Sequence, residues 1–175
     1  MLQADRRPSI FNTFFMYIVS SSLVVNRQVN QHFMGLKQID HGSKDYDVMV
    51  QLRYVILRQP LGLSFTEEEI EKEKNNIHIA SYDDDEMLGC CMLTPLDNDT
   101  VQLRQMAVPD KLQGKGIGAS IMSFAETLAR DKGYKKMIMH ARDTAIGFYE
   151  KFGFKQKGTT FLEVNLPHHV MEKKL

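Results

Sequence analysis

The sequence predicts an α/β domain: one mixed sheet of six to seven strands with helices on both faces. Two observations carry the expectation. Segments that alternate apolar and polar residues in steps of two are interleaved with segments whose apolar positions recur every three or four residues. At 175 residues, with 43% hydrophobic and 25% charged content, the chain is long enough for one domain with a full core and too short for two.

Each element has its own reason. Residues 35–40 (GLKQID) read as a short strand. Ser43 can cap a helix whose apolar positions Val48, Met49, Leu52, Val55 and Ile56 keep helical spacing until Pro60 stops it. Thr66 with Glu69 forms a capping box for a second, charged helix over 66–74. Residues 76–83 alternate as a strand, the acidic turn 83–86 follows, and 87–96 and 100–108 give a third and fourth strand. Ile117, Ile121, Phe124, Ala125, Leu128 and Ala129 then share one helical face, which Gly133 terminates. Residues 135–141 are a fifth strand. Ala145, Phe148, Tyr149 and Phe152 mark a short helix closed by Gly153, and 154–158 and 168–174 supply the sixth and seventh strands.

Charge and cysteine content exclude several function classes. The 22 basic and 22 acidic residues cancel and the isoelectric point is near 7.0, so no overall field draws the protein to nucleic acid or to a membrane surface. Cys90 and Cys91 are neighbours on a strand, where successive side chains point to opposite faces and do not bridge. Unpaired cysteines indicate a reducing, cytoplasmic compartment. No spacing of histidine and cysteine suits a metal, and none is expected.

Residues 1–33 stand apart from this pattern. Arg6 and Arg7 precede an apolar patch of about signal-peptide core length, without a small-residue cleavage site and short of a membrane span. The segment reads as a poorly ordered extension, or as a start codon assigned too early, to a domain occupying 34–175.

The chemistry concentrates in VPDKLQGKGIGAS, residues 108–120, where three glycines directly precede the long amphipathic helix. The first amides of a helix lack internal partners and the aligned peptide dipoles leave positive charge there. Gly114, Gly116 and Gly118 remove the Cβ atoms that would hold a phosphate off those amides. A Walker loop requires Ser or Thr after its lysine, but Gly116 follows Lys115. Gly114, Gly116 and Ala119 match a dinucleotide fingerprint, yet only about 40 residues remain beyond the helix, too few for that fold's further βαβ units.

Gln113 to Gly118 resembles the Q/R-x-x-G-x-G/A signature of the GNAT N-acetyltransferase superfamily, between the fourth strand and the third helix, as in that family. AIGFYEKFGF, residues 145–154, is similar to the family's A-x-x-F-Y-E-K-x-G-F element, and the Pro167-His168-x-x-Met171 tail resembles a small bacterial, ElaA-like branch. The resemblance spans 34–174 and implies a mostly antiparallel sheet whose fourth and fifth strands splay apart.

It further implies an enzyme that binds acetyl-CoA as cosubstrate and moves the acetyl group directly to a primary amine of a small molecule or peptide, with a non-catalytic acetyl-CoA sensor as the alternative. Cofactor contacts fall on Met106, Ala107, Val108, Gln113, Gly114, Lys115, Gly116, Ile117, Gly118 and Ala119. An amide near Ala107 or Val108 is expected to face the thioester oxygen. Tyr149 is the expected proton donor to the leaving sulfur, and Glu163 and His168 are candidates for the base, each with a plain structural alternative. His140 reads as structural. Arg142 stands where related sequences often carry glutamine, a difference that bears on acceptor preference. Free sheet edges make a homodimer an expectation as well.

Overall fold

The computed structural model describes residues 34–175; the readings made for residues 1–33 lie outside the described residues. Seven strands form one sheet in the order β1-β2-β3-β4-β5-β7-β6. Their bounds are β1 Met34–Ile39, β2 Ile77–Asp83, β3 Glu86–Pro95, β4 Thr100–Ala107, β5 Lys136–Arg142, β6 Lys155–Glu163 and β7 Leu166–Lys174. Only β4 and β5 run parallel; every other neighbouring pair is antiparallel. A mostly antiparallel sheet with one parallel seam is therefore what the interleaved periodicities produce.

Among the described residues there are four α-helices: α1 Lys44–Arg53, α2 Glu67–Glu71, α3 Ile117–Asp131 and α4 Ile146–Glu150. Local signals set their starts. The Ser43 hydroxyl accepts from the Tyr46 amide at 3.2 Å. Thr66 and Glu69 exchange both bonds of a capping box, at 2.9 and 3.2 Å. The first helix is shorter than its pattern predicts. It loosens into a π turn at Tyr54–Arg58 and a 3-10 turn at Gln59–Leu61, because Pro60 offers no amide and the ladder must end around it. The second also tightens early, into a 3-10 turn at Lys72–Asn75.

The two faces of the sheet bury separate cores. On one, Ile121 and Ala125 of α3 pack with Cys91, Leu103, Met139 and Met171, and the aromatic residues of α4 join them. On the other, Met49 of α1 packs with Ile39, Cys90, Met92 and Ala107. Cys90 and Cys91 thus face opposite ways, both buried and free, as the two-residue strand period requires. On this second face α1 and the turn after it lie over β3 and β4.

Candidate active site

The site begins with a defect in the sheet. β4 and β5 pair only from Thr100/Lys136 to Leu103/Met139; beyond that, each strand keeps its outer neighbour alone. The cause is a bulge in β4. Arg104 lies opposite Met92 and Ala107 opposite Cys90, so β4 takes three steps where β3 takes two. Gln105 carries the extra residue at φ 49°, and a bulge of this kind bends its strand away from a neighbour.

A buried ionic knot holds the bulge. The Gln105 amide donates to Glu73 Oε1 at 3.4 Å. Glu73 also accepts from Arg53 at 3.0 and 2.8 Å and from the Tyr46 hydroxyl at 2.6 Å. Burial, reinforced by the Glu73 carboxylate, pushes the Tyr46 phenol well above its ordinary value, so it remains a donor.

Past the bulge, Met106 and Val108 line a cleft of about 910 Å³, whereas Ala107 is buried and paired with Cys90. Alternation along the strand gives Ala107's main chain to β3 and leaves that of Met106 and Val108 on the side that β5 has vacated. Of the two residues whose amides are expected near a thioester oxygen, Val108 lines the cleft and Ala107 does not.

The loop that follows ends in the open mouth of α3. The Gln113 side chain donates to Asp110 Oδ1 at 2.9 Å and to the Val108 carbonyl at 3.3 Å, bracing the loop. Gly114 and Gly116 lie at φ 76° and 87°, conformations that other residues adopt only under strain. Gly116 is the N-cap and no side chain caps the helix. The ladder's first bond runs from Ser120 to Gly116 at 2.9 Å, leaving the amides of Ile117, Gly118 and Ala119 ahead of it. Gly114, Gly116, Gly118 and Ala119 border the cleft. The Ile117 side chain is core, so only its amide can serve a ligand, and Lys115 is exposed outside the lining.

Tyr149 reaches the same cleft from α4. Its ring packs edge-on against Phe148 at 5.0 Å. Among the described residues its hydroxyl has only the Met106 sulfur as a partner, 3.8 Å away, and a thioether is a weak acceptor. Burial, with the Cys91 thiol nearby, raises the phenol well above its ordinary value. The hydroxyl therefore stays protonated, with its hydrogen bond largely unclaimed.

Across the split lie the residues of β5 and the β6–β7 hairpin. His140 and Glu163, both lining the cleft, meet at 2.7 Å between Nδ1 and Oε2. His168, buried beside Phe161, donates from Nδ1 to the Leu166 carbonyl at 2.8 Å. A carbonyl can only accept, so Nδ1 carries the proton and Nε2 holds the free lone pair. Val164, at the hairpin tip with φ 47°, also borders the cleft. The pairing of His140 with Glu163 had no signal in the sequence, since β7 separates their strands in the sheet.

Arg104 and Arg142 line the cleft and make no ion pair or side-chain hydrogen bond among the described residues. The cysteines stay out of it: burial pushes Cys90 up to about 12 and Cys91 well above its ordinary value. Among the described residues, no cluster of His, Cys, Asp and Glu could hold a metal ion, and no helix is long and apolar enough to cross a membrane.

Comparisons with known proteins converge on one family. The family model for the acetyltransferase (GNAT) domain matches residues 62–175. The protein named Probable N-acetyltransferase 14 of Xenopus tropicalis is 32% identical over 89 residues, 49% of this chain and 43% of its own. The chain thus spans less than half of that relative's length. Among solved structures, Escherichia coli ElaA superposes with a TM-score of 0.67 at 21% identity, covering 80% of this chain and 99% of that one. A GNAT family acetyltransferase from Elizabethkingia anophelis with acetyl-CoA bound gives 0.62 at 20% identity, over 81% and 98%. At such identities the structural likeness concerns the fold.

Proposed function

The chain belongs to the acetyltransferase (GNAT) family, and we propose that it is an acetyl-CoA-dependent N-acetyltransferase that passes the acetyl group directly to a primary amine of a small molecule or peptide. One observation carries the reading. The uncapped mouth of α3, the freed edge of β4 and the Tyr149 hydroxyl all open on one cleft.

The residues divide the work by their chemistry. Main-chain amides at Gly118 and Ala119, with the positive end of α3, suit a diphosphate. The vacated edge at Met106 and Val108 suits the amides of a pantetheine arm, which can add to β4 as a strand would. The Val108 amide suits the oxygen of the thioester carbonyl. Acetyl-CoA supplies the activated acetyl group. The amine nitrogen bonds to the acetyl carbon as the carbon–sulfur bond breaks, and the Tyr149 hydroxyl gives its proton to the departing thiolate. The amine's own proton goes to a base. His140 oriented by Glu163, and His168 oriented by Leu166, each offer an Nε2 lone pair for this step.

Acetyl-CoA bound in the Elizabethkingia relative supports the choice of cosubstrate. Two free, buried thiols fit a reducing, cytoplasmic setting. β1 and β6 are the sheet's outermost strands among the described residues, where a homodimer would pair. The test has two readings. Calorimetric titration of the folded protein with acetyl-CoA is expected to saturate, and thiol release is expected on adding amines. Saturation without release on a broad amine panel would make the protein a cofactor sensor, and absence of saturable heat would end the proposal altogether.

A further inference from the structure

Five arginines fall within residues 34–175, and their partners divide them sharply. Arg53 is bound to Glu73 at 2.8 Å, Arg58 to Glu69 at 3.1 Å and Arg130 to Glu126 at 2.9 Å. Arg104 and Arg142 have no counter-charge among the described residues, and both line the cleft. Two like charges left unneutralised in one concave site repel each other and raise its potential, an arrangement that favours an incoming anion.

Their place in the sheet separates them from the mouth of α3. Arg104 lies opposite Met92, a member of the core under α1. On β5, Met137, Met139 and Ala141 point into the α3 core, so alternation turns His140 and Arg142 to the other face. The two guanidinium groups therefore stand on the face away from α3, together with His140, where the acceptor would enter. A diphosphate at the α3 mouth lies on the opposite face. The two carboxylates that line the cleft are engaged elsewhere, Glu163 by His140 and Asp110 by the Gln113 side chain.

A cationic acceptor finds little to bind. Four of the five carboxylates between Glu67 and Glu73 are neutralised where they stand, Glu68 by Lys72 at 2.6 Å, Glu71 by Lys74, Glu69 by Arg58 and Glu73 by Arg53, and Glu67 lies outside the cleft lining. We propose that the acceptor is an amine that also carries a carboxylate, and that Arg104 and Arg142 hold this carboxylate while the amine faces His140. The planar guanidinium fork matches a carboxylate's two oxygens. This rests on the acetyltransferase reading and sharpens it. The same chemistry can come from a free amino acid or from a peptide whose carboxylate lies near its terminal amine.

The experiment uses the full chain and three matched series: amino acids, their carboxamides and their decarboxylated amines, with dipeptides bearing an acidic second residue as a fourth arm. Thiol release from acetyl-CoA is followed for each. At least one amino carboxylate is expected to exceed its carboxamide in kcat/KM by about tenfold or more, the worth of a charged hydrogen bond. Arg104→Gln and Arg142→Gln are expected to shrink that ratio through KM, with acetyl-CoA affinity unaltered. Arg104→Lys, which keeps the charge and loses the fork, is expected to recover part of it.

A dipeptide preferred over free acids assigns the carboxylate to a peptide; the reverse assigns it to a free amino acid, and both support the proposal. Carboxamides or decarboxylated amines reacting as well as the acids would overturn it and leave the transferase reading intact. So would a weakened acetyl-CoA affinity in the arginine variants. Acetyl-CoA binding with no amine acetylated in any arm would remove both.

Discussion

Arg53 grips Glu73 with both prongs of its guanidinium, at 3.0 and 2.8 Å, in a site from which both side chains exclude solvent. Such a pair is weak ground for stability when replaced whole and costly when broken. Glu73→Ala leaves an uncompensated buried cation, and urea unfolding is expected to show a loss of about 3–5 kcal/mol. The double variant Arg53→Met, Glu73→Leu is expected to recover most of that loss. Because Glu73 also holds Gln105, acetyl-CoA affinity should weaken in the double variant even where stability returns.

His78 lies in the same knot, its Nε2 4.0 Å from Glu73. Burial outweighs the carboxylate's attraction and pushes the imidazole down to about 4, from an ordinary 6.5. Below pH 6.5 the unfolded chain takes up a proton that the folded one refuses. The stability linked to His78 is thus full above pH 6.5 and is lost as the pH falls toward 4. Unfolding free energies from urea titrations at pH 7 and pH 5 should differ by about 2 kcal/mol from this group alone, by linkage. A smaller drop in His78→Asn would assign the effect, and an equal drop would place it elsewhere.

Tyr149→Phe removes one oxygen and leaves the packing against Phe148. Turnover is expected to fall by about a hundredfold, in the range of general acid catalysis, with acetyl-CoA affinity unchanged. Equal turnover in the two proteins would strip Tyr149 of its role and leave it as a core aromatic.

At Gly116 the backbone and the ligand make the same demand. A Cβ added there meets no protein atom within 4 Å, yet φ is 87°. Crowding in the protein is therefore not the constraint; handedness is. Gly116→Val is expected to lose about 1–3 kcal/mol of stability to strain and to lose acetyl-CoA binding. Gly116→Asn tolerates the left-handed conformation and should keep the fold while weakening binding, which isolates the ligand's share.

Local chemistry made much of this molecule readable in advance. Ser43, Thr66 with Glu69, and Gly133 mark helix ends where the structure has them, because a cap acts within three or four residues of itself. The glycine loop was readable for the same reason. Long-range features were not. The φ of Gln105 follows from a bulge fixed by Glu73, 32 positions earlier, and no period in LRQMAV announces it. The sixth strand was expected to stop at Gly158. It continues through that glycine, at φ 70°, to Glu163, because the register slips between Lys157 and Phe161 and then resumes against β7. That continuation is what carries Glu163 to His140. The lack of ion-pair partners at Arg104 and Arg142 among the described residues was equally invisible, since it is a property of everything around them.

The adjacent cysteines have a practical corollary. They are the chain's sole sulfhydryls, and each is sealed into a different layer with its ionisation suppressed. A disulfide-exchange dye needs an accessible thiolate, so the intact protein should stay silent in its presence. Colour that develops before denaturation then belongs to liberated coenzyme, and colour that arrives only with denaturant counts opened molecules, so one reagent serves as both catalytic meter and integrity gauge.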